Sequence, residues 1–172
     1  MGIAPARRDG PARSIERNAH PTEAGEVRRP AKKLRKADRD LIAAATAAIK
    51  RRYRDDWQEV GAALRTRSGK IFTGVNLDAY LGRMAVCAEA VALGRAVVDL
   101  GDDGIDMIVA VRHPSPEDKD QAIAVVSPCG ACRELIFDYD PRARVIVPHR
   151  ESAAVVPIGD LLPNKYSRGP ER

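Results

Sequence analysis

The chain has 172 residues, with 29 Lys and Arg against 24 Asp and Glu, a formal net charge of +5 and a pI of about 9.3. That length suits one domain with a single continuous core, and 44% hydrophobic with 31% charged residues fits neither a disordered nor a membrane-embedded chain. No apolar run approaches the roughly 20 residues of a membrane span, and no apolar stretch follows the N-terminal charges as in a secretory leader, so a cytoplasmic protein is expected.

The basic excess is local. Residues 1–37 hold ten basic side chains against four acidic ones, which leaves 19 basic and 20 acidic groups for everything after them. Pro5, Pro11, Pro21 and Pro30 punctuate this stretch, and it has little to bury. Residues 1–33 are therefore expected to be a basic tail, flexible or loosely docked. Residues 34–166 form the domain, and 167–172 a short C-terminal tail. The body has no basic stripe interleaved with aromatics, so a nucleic-acid partner is not expected despite the high pI.

In chain order, Leu34, Ala37, Leu41, Ile42, Ala45, Ala48 and Ile49 recur at three- and four-residue spacing and predict an amphipathic helix over 36–52. Arg51, Arg52 and Arg54 suit the C-terminal end of its dipole. The runs 60–66 and 71–76 flank Ser68-Gly69-Lys70 and predict a β-hairpin. Residues 86–100 are apolar on nearly all sides, as in a helix packed between a sheet and a further layer. Residues 107–111 and 122–126 are short apolar runs that read as central strands, joined by a polar connection from His113 to Asp118. A helix from Pro128 to about Tyr139, a strand over 144–147 and a short helix over 159–162 complete the series. Strands alternating with helices predict a three-layer α/β domain, with helices on both faces of a mixed sheet.

Three cysteines, an odd number, argue for thiols used as thiols. They fall in two clusters, Cys87-Ala88-Glu89 and Pro128-Cys129-Gly130-Ala131-Cys132, each at the start of a predicted helix. Cysteines three residues apart at a helix start point the same way, and helix N-terminal N–H groups stabilise their thiolates. Neighbouring helix starts meet at one edge of an α/β sheet, so Cys87, Cys129 and Cys132 can converge on one zinc ion. Three ligands leave a tetrahedral position open, which is the catalytic rather than the structural pattern. Glu89 lies two residues after Cys87 and can reach a water in that position without being a ligand. Zinc makes such a water more acidic, Glu89 takes its proton, and the resulting hydroxide attacks an electron-poor carbon. Arg133, directly after Cys132, is expected to offset the thiolate charge from just outside the ligand set.

Cys-Ala-Glu followed by Pro-Cys-x-x-Cys resembles the zinc-dependent nucleoside and base deaminases, an enzyme class with a well-described chemistry. Phe72-Thr73-Gly74-Val75-Asn76, Ser127 through Glu134, and Leu161-Leu162-Pro163 extend the likeness to the small cytidine deaminases and the related blasticidin-S deaminases. It runs from about Ala37 to Tyr166. The resemblance implies a three-layer α/β/α cytidine deaminase-like fold with a mixed five-stranded sheet, one Zn2+ per subunit and a homotetramer. It implies hydrolytic deamination of a free cytosine nucleoside in pyrimidine salvage, with release of ammonia. The alternative substrate is a cytosine nucleoside analogue such as blasticidin S. On the same grounds Asn76 is expected to hydrogen-bond a ribose hydroxyl. Asp78 stands where the family has its ribose-binding Glu, the Ala88 backbone and Ser127 contact the pyrimidine edge, and Tyr166 lines the pocket. Three positions depart from the cytidine deaminase pattern. Ala90 replaces the Arg of Cys-Ala-Glu-Arg, Gln58-Glu59 replaces the Phe-Pro whose ring packs on the substrate, and Tyr80-Leu81-Gly82 replaces an Ala-Ser-Tyr.

Overall fold

The computed structural model describes residues 33–100, 104–150 and 152–166. Residues 1–32 of the expected basic tail, and the C-terminal tail 167–172, lie outside the described residues. Helix α1 (Lys36–Arg52) buries the stripe Leu41, Ala45, Ala48 and Ile49 and ends on Lys50, Arg51 and Arg52, as its periodicity predicts. Strands β1 (Val60–Thr66) and β2 (Ile71–Val75) form the expected antiparallel hairpin. Gly69 takes φ +91° in its turn, a conformation most side chains resist. Helix α2 (Ala88–Leu100), β3 (Ile105–Arg112), β4 (Ala124–Val126), α3 (Gly130–Tyr139), β5 (Arg144–His149) and β6 (Ser152–Pro157) follow, and a short 3-10 helix Ile158–Leu161 closes the described chain.

The sheet runs β2-β1-β3-β5-β6, with β4 paired to β3 off that path. Only β3 and β5 are parallel; the other pairings are antiparallel, so the sheet is mixed. Alternate residues of each strand serve opposite faces. Ala63, Met107, Val109 and Val111 pack with Leu41, Ala45 and Ile49 of α1. Ala62, Leu64, Ile108 and Ala110 pack with Ala92 and Leu93 of α2 and Ile136 of α3. The layers are therefore α1, the sheet, then α2 with α3, the three-layer α/β arrangement expected.

Among the described residues the sheet has six strands where five are expected. The additional strand is β6, paired with β5 from Arg144↔Pro157 to His149↔Ser152. Its turn includes Arg150 at φ +50°, a position with no glycine to mark it in the sequence. The run 122–126 yields only three residues of strand, because just Ala124–Val126 reach β3.

Two glycines set the layer spacing. A Cβ on Gly61 would stand 2.6 Å from the Ala45 carbonyl oxygen of α1, and one on Gly74 would stand 2.6 Å from the Ala88 carbonyl oxygen of α2. Each helix rests on bare backbone at that point. Gly74 brings the first turn of α2, the one carrying the Cys-Ala-Glu sequence, directly onto β2. Among the described residues, no helix is long and apolar enough to cross a membrane.

Candidate active site

Cys87 immediately precedes α2, and its carbonyl accepts the Val91 N–H at 3.2 Å. Cys129 caps α3 from extended backbone, its Sγ accepting the Cys132 N–H at 3.5 Å. The two helix starts meet as expected. The Sγ atoms of Cys87, Cys129 and Cys132 lie within 4.8 Å of one another, and Cys87 Sγ is 3.6 Å from Cys129 Sγ. A tetrahedral ion with Zn–S bonds of about 2.3 Å holds its sulfurs about 3.8 Å apart, so the cluster has the right size. Cys132 is buried, whereas Cys87 and Cys129 reach the surface, leaving one side open to a small molecule.

Glu89, in the first turn of α2, is 5% exposed, and burial pushes its carboxyl above the usual range. Burial also raises the Cys87 and Cys132 thiols, the latter further because it faces the Glu89 charge. Cys129 differs: burial opposes its ionisation, but the Cys132 backbone N–H and bonds from the other two thiols hold it below the ordinary thiol value. A buried carboxyl that holds its proton more tightly than usual, beside a cluster of soft donors, fits a proton shuttle next to a thiolate-bound metal. The donor set of three thiolates, with no fourth protein ligand among the described residues, fits zinc in a catalytic rather than a structural site.

The remaining expected site residues divide. Ala88 is fully buried at the start of α2, and Ser127 lies exposed just before the Pro128-Cys129 step. Asp78 is exposed, its Oδ1 accepting the Ala79 N–H at 2.7 Å. Arg133 donates to the Pro128 carbonyl at 2.9 Å and the Leu161 carbonyl at 3.4 Å, tying the α3 start to the terminal 3-10 helix. Tyr166 is 76% exposed, in a segment fastened to α3 by Lys165 through Glu134 and Asp138. A cavity of about 430 Å³ opens at the opposite, C-terminal ends of α2 and α3, between Leu64, Leu93, Ile105 and Tyr139, and shares no residue with the cysteine cluster.

The sequence reading misses how the rim is built. Leu77 and Val86 exchange both backbone hydrogen bonds, at 2.9 and 2.8 Å, and close residues 78–85 into a loop leading straight to Cys87. Leu77, Tyr80, Leu81 and Met84 on it are each about half exposed or more. Tyr80 meets the Trp57 ring edge-on at 5.3 Å. The available signal was the scarcity of aromatics, 4% of the chain, with Trp57 and Tyr80 both close to motif residues.

The sequence profile of the cytidine and deoxycytidylate deaminase zinc-binding region matches residues 35–148. The chain belongs to this family. The blasticidin-S deaminase of Bacillus cereus is 47% identical over 131 residues, which is 76% of this chain and 93% of that protein. Among solved structures, the cytidine deaminase of Burkholderia pseudomallei superposes with a TM-score of 0.61 at 29% identity, over 74% of this chain and 98% of its own. The cytidine deaminase from Bacillus anthracis shares the fold with a TM-score of 0.63 at 22% identity, over 74% and 88% of the two chains. This deaminase is accordingly a zinc-dependent hydrolase, and its cysteine cluster matches the metal chemistry of the family.

Proposed function

We propose that the chain hydrolytically deaminates a cytosine nucleoside, with Cys87, Cys129 and Cys132 holding the zinc and Glu89 moving the proton. The observation that carries this reading is the meeting of three thiols and a buried carboxyl at the starts of α2 and α3. Zinc, when bound, supplies a water acidic enough to be deprotonated near neutral pH. Glu89 accepts that proton and passes it to the ring nitrogen, then carries the remaining proton of the added hydroxyl to the departing amine, which leaves as ammonia. Its buried position raises its proton affinity toward the range in which one carboxyl can do both. The backbone at Ala88 and the exposed Ser127 hold the ring edge, Asp78 faces the sugar, and Tyr166 extends the rim. Arg133 holds the Pro128 carbonyl and so keeps Cys129 in place.

Two arguments support the wider setting. Three unpaired cysteines suit a reducing compartment, in keeping with a cytoplasmic enzyme of pyrimidine nucleoside salvage. The exposed apolar residues Leu77, Tyr80, Leu81 and Met84 beside Cys87 suit a homo-oligomer, a tetramer as the sequence likeness implies, in which a second subunit covers them.

A second reading, deamination of a cytosine nucleoside analogue such as blasticidin S, is favoured by a specific observation. The 47% identical relative spans 93% of its length and carries that activity in its name, against 29% for the cytidine deaminase from Burkholderia pseudomallei. A panel of cytidine, deoxycytidine and blasticidin S, followed by ultraviolet absorbance and ammonia release, separates the two. Turnover of the natural nucleosides supports the first reading. Turnover of blasticidin S alone replaces it with the second, and turnover of none of the three rejects both.

A further inference from the structure

We propose that Lys165 is a positioning residue of the zinc site, latching residues 158–166 onto α3 so that Arg133 holds Cys129 in place. The proposal rests on the reading above in which Cys87, Cys129 and Cys132 carry the zinc. The Lys165 ammonium lies 2.9 Å from Glu134 Oε2 and 2.8 Å from Asp138 Oδ1, and its side chain is only 14% exposed. It also donates to the Tyr166 carbonyl at 3.0 Å, and it stands 5.4 Å from the centre of the Phe137 ring. The three protons of the ammonium thus meet three oxygens. Glu134 and Asp138 are one turn apart on α3, where like charges repel. Asp138 also adds an anion at the helix end whose dipole disfavours one. One cation answers both, and so a lysine from far along the chain is held nearly buried on this face.

The latch is one end of a longer strap. At the other end the 3-10 helix Ile158–Leu161 packs on α3, where a Cβ on Gly159 would stand 3.7 Å from the Phe137 ring. A turn at Pro163 and Asn164, with Asn164 at φ +55°, leads from that helix to Lys165. Between these anchors the Leu161 carbonyl accepts Arg133 Nη1 at 3.4 Å, while Nε of the same guanidinium donates to the Pro128 carbonyl at 2.9 Å. Pro128 is bonded directly to Cys129, whose Sγ caps α3. One guanidinium therefore joins the strap to the residue before a thiol, and the neighbouring Glu134 takes the latch. Cys132 needs no such support, because it is 2% exposed and packed into the core below α2 and α3. Cys129 is exposed at the helix start. Releasing the strap leaves Arg133 with one anchor instead of two and frees the Pro128–Cys129 step to move.

The test uses the full-length protein loaded with zinc, or with cobalt, whose thiolate charge-transfer and visible bands report ligand geometry. Lys165→Met keeps a hydrocarbon stem over Phe137 and removes the charge. Lys165→Arg restores a cation able to reach both carboxylates. We expect Lys165→Met to hold one zinc per chain but to release it to a chromogenic chelator about tenfold faster, the low end of what contacts outside the ligand set are worth. Its cobalt bands shift, and Lys165→Arg returns both readouts towards wild type. Arg133→Met also speeds release, and adding Lys165→Met to it changes nothing further, because the two residues act in one chain of contacts. Unchanged zinc release and cobalt bands in Lys165→Met overturn the proposal, as do effects of the two substitutions that simply add. Should Arg133→Met fail to fold, the comparison of Lys165→Met with Lys165→Arg decides alone. If the wild-type protein holds zinc yet turns over no nucleoside, the substrate reading fails, while the metal measurements still decide the latch. A wild-type chain that binds neither metal overturns both.

Discussion

Two buried polar clusters, one on each face of the sheet, meet the same physical problem differently. On the α1 face, Asp38 is 1% exposed and bonds Arg65 at 3.1 Å and Arg35 at 3.2 Å. Arg65 also reaches Asp106 at 2.8 Å, and Asp106 pairs with Arg144. Every charge there has a partner within the chain, and the network fastens the start of α1 to β1, β3 and β5. On the opposite face, Glu89 and Cys132 are 5% and 2% exposed, but the neighbours of Glu89 are thiols. The nearby Arg133 directs its donors to the carbonyls of Pro128 and Leu161. A cluster that balances its own charge is finished when the chain folds. A cluster of converging anions relies on the cation its family binds, and there the chain does chemistry.

The largest expected effect tests that contrast at the site itself. Glu89→Gln is close to isosteric, removes the proton acceptor and leaves all three thiols. We expect zinc content to stay at one per chain by metal analysis, while kcat falls on the order of 10²- to 10⁴-fold. Retention of full activity would assign the proton transfer elsewhere. Loss of zinc would make Glu89 part of the metal's support rather than the shuttle.

The two clusters were not equally visible in the sequence. The thiols and Glu89 were legible because the geometry that brings them together is mostly local: a Cys-x-x-Cys step, a Cys-x-Glu step and two helix starts. The α1 network was not. Asp38 sits in a charged helix start that reads as solvated, and its buried partner Arg65 lies 27 residues away. Asn76 illustrates the same limit. Its side-chain bonds to Glu59, Val60 and Trp57, 16 to 19 residues earlier, form only once the hairpin pairs. The hydrophobic periods placed α1, β1, β2, α2 and α3 well, since each buries one clear face. Strand β6 escaped because its turn uses Arg150 at positive φ instead of glycine.

The next effect breaks the self-balanced cluster. Arg65→Met leaves Asp38 with only the exposed Arg35 as partner, and loss of one member of a buried pair costs about 3 kcal/mol or more. Urea unfolding at pH 7 should show this, and adding Asp38→Asn should recover part of it. The pH dependence gives an independent check. Burial alone would raise the Asp38 carboxyl, but hydrogen bonds from Arg35 and Arg65 outweigh it and hold the group at about 2 against an ordinary 3.8. A depressed folded-state value stabilises the protein above about pH 4 and loses that stabilisation as pH falls through 2, an amount of roughly 2 kcal/mol. The stability gap between wild type and Asp38→Asn should therefore narrow between pH 4 and 2. Comparing the two proteins at each pH cancels the loss of zinc as the thiolates protonate. A gap that stays constant over that range would show that Asp38 is not what the arginines stabilise.

The smallest effect separates the two faces most cleanly, because the same chemical change is made on each. Gly61→Ala and Gly74→Ala both place a methyl group 2.6 Å from a helix carbonyl oxygen, that of Ala45 in α1 and of Ala88 in α2. Neither glycine has positive φ, so the penalty is overpacking alone, about 1–3 kcal/mol in each case. Relief requires the helix to move off the sheet. When α1 moves it carries Leu41, Ala45 and Ile49, none of which touches the cysteine cluster. When α2 moves it carries its first turn, and Cys87 and Glu89 shift relative to Cys129 and Cys132 on α3. We expect the two variants to lose similar stability, with kcat near wild type for Gly61→Ala and reduced by about tenfold or more for Gly74→Ala, since a displacement of about 1 Å in a reacting group is enough for that. Equal kcat values in the two variants would mean that α2 and α3 move together as one body. The site's precision would then lie in the helix pair rather than in the contact of α2 with β2.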